Sequence, residues 1–360
     1  MIGEATQQSS SPTRFYTSEA AMARHFEAFS RRLAFDGGTA DAAWEWQTTA
    51  RQTLHSLLGL DHFTHCTPDA ALREIVTADG LRREEWLIRT EEDVWMPFSL
   101  LIPEGLTAPA PLVICTHGHG SPGRLPVVGR RDLPEVVPVI DQYRYDYGVQ
   151  FARAGCITAC PDARGFGERR EPVKQNAAQF LESSCHNLML SGAPLGITVQ
   201  GMWTWDLMRL IDFLVRDERI SAERIGCGGL SGGGLQTLDL AAIDERVRAA
   251  VVSGYFYGVQ SSLQVMNGNC DCNLVPGLWG AFDIGDIGAL IAPRGLFVET
   301  GSDDSLNGAS GVDNVRSQLA IAARVFDLLG GELQHDIFTG GHRWHGERAV
   351  PWLVRQLNSN

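Results

Sequence analysis

Apolar residues near the start of the chain recur at helical spacing: Met22, Phe26, Phe29 and Leu33, then Trp46, Ala50, Leu54, Leu57 and Leu58 before Gly59. Positions three and four apart share one helical face, so this spacing predicts two amphipathic helices parted by Gly37-Gly38. From about residue 72 the period shortens. Trp86-Leu87-Ile88 and Phe98-Ser99-Leu100-Leu101-Ile102 flank the polar Glu91-Glu92-Asp93, which reads as a β-hairpin. Beyond residue 110, short apolar runs alternate with helix-length segments: Pro111–Cys115, Cys156–Cys160, Arg224–Gly228, Val247–Val252, Gly295–Val298 and Leu333–Phe338. Among the helical segments, Trp203, Leu207, Leu210, Ile211 and Leu214 mark one face, and Val315–Leu329 ends at Gly330-Gly331. Strands that are apolar throughout must be covered on both sides. The expected fold class is therefore α/β, a mostly parallel central sheet with helices on both faces, preceded by a helical extension. The expected boundaries are a disordered tail over 1–14, the helical extension over 15–70 and the sheet domain over 71–360.

Composition agrees with one large core. The chain has 360 residues, 44% of them hydrophobic, which argues against disorder or a disulfide miniprotein. Its 43 acidic and 30 basic side chains leave a net charge of −13, which disfavours nucleic acid or an anionic membrane as partner. No apolar run approaches the roughly 18 residues that a span requires. Met1 to Pro12 is polar and shows no apolar signal core, so a cytoplasmic location is expected. Of the eight cysteines, Cys115, Cys156, Cys160 and Cys227 sit in apolar surroundings and read as buried thiols. Cys270-Asp271-Cys272 lies in a polar, loop-like stretch with Asn267, Gly268, Asn269 and Asn273. No second pair stands at zinc-finger spacing, so no metal is expected there.

The strongest chemical signal is Gly229-Leu230-Ser231-Gly232-Gly233-Gly234, between the strand Arg224–Gly228 and a predicted helix Gly234–Ile243. G-x-S-x-G in that position is a nucleophile elbow. Such a turn holds the serine in a strained conformation with its hydroxyl exposed, so its neighbours must be small. A phosphate-binding loop would need Lys-Ser/Thr next, and none follows. The amide of Gly232 is then placed to stabilise an oxyanion.

His117-Gly118-His119-Gly120 follows the strand Pro111–Cys115, where a second oxyanion-hole amide belongs, from Gly118 or His119. His-x-His could also ligate a metal, but Ser121 and Pro122 stand where further ligands are expected, and metal is not predicted. In this fold the acid and then the base follow the serine along the chain. The base is His342, in Thr339-Gly340-Gly341-His342 after the last strand; His335 lies inside that strand, and His345 is a supporting group. The acid lies in Glu299-Thr300-Gly301-Ser302-Asp303-Asp304; Asp304 is favoured, Asp303 is its rival and Glu299 comes too early. Asp162-Ala163-Arg164 reads as a structural ion pair at a strand end. Tyr255, Phe256 and Tyr257 are candidate pocket walls, while Trp203, Trp205 and Trp279 read first as core. The stretches Ser121–Tyr147 and Gly258–Gly288 are long enough to overhang a site.

These residues carry a resemblance. Roughly residues 75–358 resemble the α/β-hydrolase superfamily, and within it the dienelactone-hydrolase-related and acetyl xylan esterase-like serine hydrolases, themselves similar to prolyl-oligopeptidase catalytic domains. The likeness rests on His117–Gly120, Asp162–Gly167, Trp205-Asp206, Gly229–Gly233, Cys270–Asn273 with Pro276-Gly277, Ile291–Arg294 and Gly341-His342. It departs at Gly295 and Asn307, where proline is common. The resemblance implies an α/β-hydrolase fold and a triad of Ser231, Asp304 and His342 that needs no cofactor. Dienelactone-cleaving members use cysteine as nucleophile; serine favours a small-molecule carboxylic ester with a short, acetyl-type acyl group. The alternatives are a lactonase, a peptidase or amidase using the same triad, and a non-catalytic hydrolase fold. The segment before the sheet is too short for the propeller of a prolyl-oligopeptidase. Homo-oligomerisation stays open.

Overall fold

The structure is a computed structural model that describes residues 16–67, 69–106, 109–175, 180–263 and 269–359. The tail expected over 1–14 lies outside the described residues.

Nine strands form one sheet: β1 (Ala70–Ala78), β2 (Leu81–Glu91), β3 (Val94–Pro103), β4 (Ala110–Thr116), β5 (Ile157–Pro161), β6 (Ile220–Leu230), β7 (Val247–Ser253), β8 (Gly295–Gly301) and β9 (Leu333–Phe338). Their order is β1-β2-β3-β5-β4-β6-β7-β8-β9. The first three strands and the β3–β5 pair are antiparallel, and every pair from β5–β4 to β8–β9 is parallel. Each apolar run read from the sequence falls on one of these strands. β4, β5 and β8 are buried along their whole length, as strands covered on both faces must be.

Alternation along β4 divides the core. Leu112 and Ile114 point to one side, toward the helices Val199–Leu214 and Gly232–Ile243, while Val113 and Cys115 point to the other, with Phe151, Trp344 and Leu353. Parallel strands collect their C-terminal ends at one rim, and there the loops after β4, β6, β8 and β9 meet.

The second N-terminal helix packs against the chain around the sheet. The helix Ala40–Leu58 starts at Thr39, whose hydroxyl accepts the Ala42 N–H, and stops at left-handed Gly59. It buries Ala43, Gln47, Ala50, Leu54 and Leu58. The Gln47 amide donates to the carbonyls of Ala289 and Ala292 at 2.9 Å each, and Arg51 donates to those of Ala242 and Leu290. These bonds sew it onto the chain around the sheet. The first helix, Glu19–Phe29, buries none of its residues and touches Trp279 through Phe26.

Candidate functional site

β6 ends at Leu230, and the helix Gly232–Ile243 begins one residue later. The residue between them, Ser231, has φ 61° and ψ −121°, a conformation that costs a non-glycine residue about 1–3 kcal/mol. The turn is imposed by its surroundings. A Cβ on Gly229 would stand 2.5 Å from the Thr116 carbonyl oxygen, and one on Gly233 only 2.1 Å from it. The Ser231 N–H is spent on Ser253 O at 2.8 Å. The side chain is therefore turned out at the rim of the sheet.

Asp304 follows β8 by three residues and is 4% exposed. Its Oδ2 lies 2.7 Å from His342 Nδ1, and its Oδ1 accepts the Leu306 N–H at 2.9 Å. Opposite an ionised carboxylate Nδ1 carries the proton, which leaves Nε2 of His342 as the acceptor. Asp303 is exposed, and its backbone N–H donates to Gly340 O at 2.9 Å. Glu299 is wholly buried and accepts the N–H of Gly346 at 2.7 Å and of His345 at 3.4 Å. Burial pushes its carboxyl up to about 7. It anchors the backbone of the loop that carries His342. His345 sits 3.2 Å from Asp336, and His335 bonds Thr300 within the sheet.

Ser231 and His342 line one cavity of about 210 Å³, with Tyr143, Tyr145 and Leu306. Ser231 also borders a second cavity of about 330 Å³, with His119, Tyr255, Tyr257, Cys270 and Asn273. Tyr255 and Tyr257 are thus pocket walls, but Phe256 is not. Its ring lies where a Cβ on Gly288 would meet it at 2.6 Å, inside the core, because successive side chains point to opposite sides. Trp203 and Trp205 are core, as read, while Trp279 lies against the first helix.

The loop after β4 separates the two amides that the sequence left open. Gly118 N–H donates to Tyr145 Oη at 2.7 Å, so it is taken. Among the described residues, the N–H groups of His119 and Gly232 have no acceptor. These two residues adjoin, since a Cβ on Gly232 would fall 2.7 Å from His119 Nδ1. Of the two candidates after β4, Gly118 and His119, the His119 amide is therefore the one left unbonded among the described residues. His117 is buried and pinned: Ala163 N–H donates to its Nε2 at 3.0 Å, and its Nδ1 lies 3.1 Å from Gly118 O. Burial lowers its pKa, so the ring is a neutral brace between two loops.

Asp162 accepts Arg124 N at 2.7 Å and Arg124 Nη1 at 2.6 Å, while Arg164 and Arg169 both pair with the buried Asp206. This network stiffens the loop after β5 and is structural. Tyr145 and Glu299 gained no such role from sequence, because each acts on a backbone far away along the chain. Cys185 was also passed over. It opens the helix Cys185–Gly192, and the fold places it beside His119, Cys270 and Cys272.

A mostly parallel sheet with helices on both faces and a strained serine at a strand-to-helix turn defines an α/β-hydrolase. The chain belongs to the abhydrolase family, whose family model matches residues 4–312. It is similar to YtaP of Bacillus subtilis (strain 168), named as a candidate hydrolase, with 28% identity over 226 residues, 62% of this chain and 70% of that protein. A crystal structure from Bacteroides fragilis NCTC 9343, described as a candidate acetyl xylan esterase, superposes with a TM-score of 0.79 at 17% identity, covering 98% of this chain and 97% of the other. A glucuronoyl esterase from Solibacter usitatus gives 0.64 at 17% identity over 92% and 98%. At such identities the two structures share the fold. Among the described residues, no helix is long and apolar enough to cross a membrane.

Proposed function

We propose that this protein hydrolyses carboxylic esters through an acyl-enzyme on Ser231. The observation that carries the reading is the strained Ser231 opening onto the cavity lined by His342, whose Nδ1 is held by buried Asp304. Ser231 Oγ attacks the acyl carbon while His342 Nε2 takes its proton. The oxyanion is met by the amides of Gly232 and His119. Collapse of the tetrahedral intermediate expels the alcohol, which receives the proton from His342. Water then enters by the same route and releases the acid. Asp304 keeps the imidazole in the productive tautomer and stabilises its cation.

The two cavities divide the substrate. His342 must protonate the leaving oxygen, so the alcohol belongs in the cavity of Tyr143 and Tyr145. The acyl group then lies in the cavity lined by Tyr255 and Tyr257, about 330 Å³, which has room for the short, acetyl-type group that the resemblance implies. The esterase names of the structural neighbours favour the same bond. The net charge of −13 favours neutral esters over polyanionic ones.

The test is turnover of p-nitrophenyl acetate, butyrate and octanoate beside a lactone and an anilide. The expected order is acetate and butyrate above octanoate, with amide cleavage far slower, and Ser231→Ala reduced to background. Faster anilide than ester turnover would make the chain an amidase; no turnover by wild type would end the reading.

A further inference from the structure

Beside the serine, three distant parts of the chain bring together four metal-binding side chains. His119 comes from the loop after β4, Cys185 from the first turn of the helix Cys185–Gly192, Cys270 from just before the single helical turn Asp271–Asn273, and Cys272 from within it. Their donor atoms all lie within 4.8 Å of one another, and His119 Nε2 stands 3.3 Å from Cys272 Sγ. A tetrahedral zinc ion with bonds of about 2.0–2.3 Å holds its ligand atoms about 3.3–3.8 Å apart, so the four need only close slightly. Along the chain, Cys270 and Cys272 have no second cysteine pair at zinc-finger spacing. The fold supplies the missing ligands from elsewhere.

We propose that His119, Cys185, Cys270 and Cys272 form a structural zinc site. All eight cysteines are free thiols, and a disulfide between any two of these three would leave the third thiol and the imidazole without a matching partner. Zinc satisfies all four at once. The donor set, three thiolates and one imidazole, is soft and typical of a closed structural site. The backbone around it is already held: Gln200 Nε2 donates to Cys272 O at 3.0 Å, and Asn273 Nδ2 donates to Cys270 O at 2.9 Å. Such outer contacts fix ligand orientation. Binding one Zn²⁺ displaces three thiol protons to solvent, leaves His119 neutral and gives the centre a net charge of −1.

Four protein ligands leave no open position, so the ion takes no part in bond cleavage. Its effect is positional. It ties the residue whose amide faces the developing oxyanion to the Cys270–Asn273 turn that borders the acyl cavity. The site does not depend on the esterase assignment, and its test is read on the metal itself.

Protein purified under reducing, metal-replete conditions is expected to carry about one zinc per chain by mass spectrometry. Cys185→Ser, Cys270→Ser, Cys272→Ser and His119→Ala each should lower that at least about tenfold. Cys66→Ser, outside the cluster, and Ser231→Ala should keep it. Co²⁺ in place of zinc should give thiolate charge-transfer bands in the near ultraviolet and strong tetrahedral d–d bands, both lost in His119→Ala. Should a variant fold poorly, chelation of wild type should lower its unfolding temperature and added Zn²⁺ restore it. The site is refuted if reduced, folded wild type binds neither Zn²⁺ nor Co²⁺, or if the triple cysteine variant keeps full zinc.

Discussion

Asp304 divides its two oxygens between His342 Nδ1 at 2.7 Å and the Leu306 N–H at 2.9 Å. The second bond matters as much as the first, because it locks the carboxylate's rotation and so the plane of the imidazole. Replacing Asp304 by Asn keeps the shape but can offer the ring a donor, which favours the wrong tautomer. Asp304→Asn should lower kcat by about 10³–10⁴ with KM little changed. Asp303→Asn should stay within a few-fold of wild type. A steady-state comparison decides, and the reverse order would move the acid to Asp303.

Tyr145 holds the β4 loop through Gly118. Removing its hydroxyl leaves the buried Gly118 N–H unpaired, at about 1–3 kcal/mol. Tyr145→Phe should lower the urea midpoint accordingly and reduce kcat about tenfold through a misplaced His119 amide. Equal activity with lower stability would show that the bond is structural only.

Tyr257 lines the cavity proposed for the acyl group. Tyr257→Ala should shift p-nitrophenyl ester preference toward longer acyl chains, raising kcat/KM for octanoate relative to acetate by about tenfold. An unchanged ratio would place the acyl group elsewhere.

Asp239, on the helix after the serine, is buried, and among the described residues neither carboxylate oxygen has a hydrogen-bond partner. Burial pushes its pKa up to about 8, and that of Glu299 up to about 7. Both folded-state values lie above the unfolded ones, so the folded protein holds extra protons between them. Their stabilisation is fully present below the ordinary carboxylate range and is lost as pH rises toward about 7 and 8. Thermal unfolding should therefore become easier from pH 5 to pH 8.5. Asp239→Asn should flatten that slope and stabilise the protein most at the alkaline end. A parallel slope in wild type and variant would contradict the role of Asp239.

Much of this was legible in the chain because it depends on local spacing. The elbow needs glycines around Ser231, and buried parallel strands need continuous apolar runs, so both leave marks within a few residues. Between Asp304 and Asp303, which stand side by side in the chain, it is the fold that brings Asp304 to His342 Nδ1. What stayed hidden depends on which loops the fold folds together. Tyr145 takes the Gly118 N–H across 27 positions, and Phe256 turns inward between two pocket tyrosines. Likewise Cys185 joins Cys270 and Cys272 only through the closure of the rim. No one-dimensional spacing encodes such meetings.

The most direct test of the central claim is the mass of the protein after brief treatment with a fluorophosphonate, followed by peptide mapping. A single adduct on Ser231, absent in Ser231→Ala and slowed strongly in His342→Ala, is the predicted result. Unlabelled wild type, or an adduct on any other residue, would contradict it.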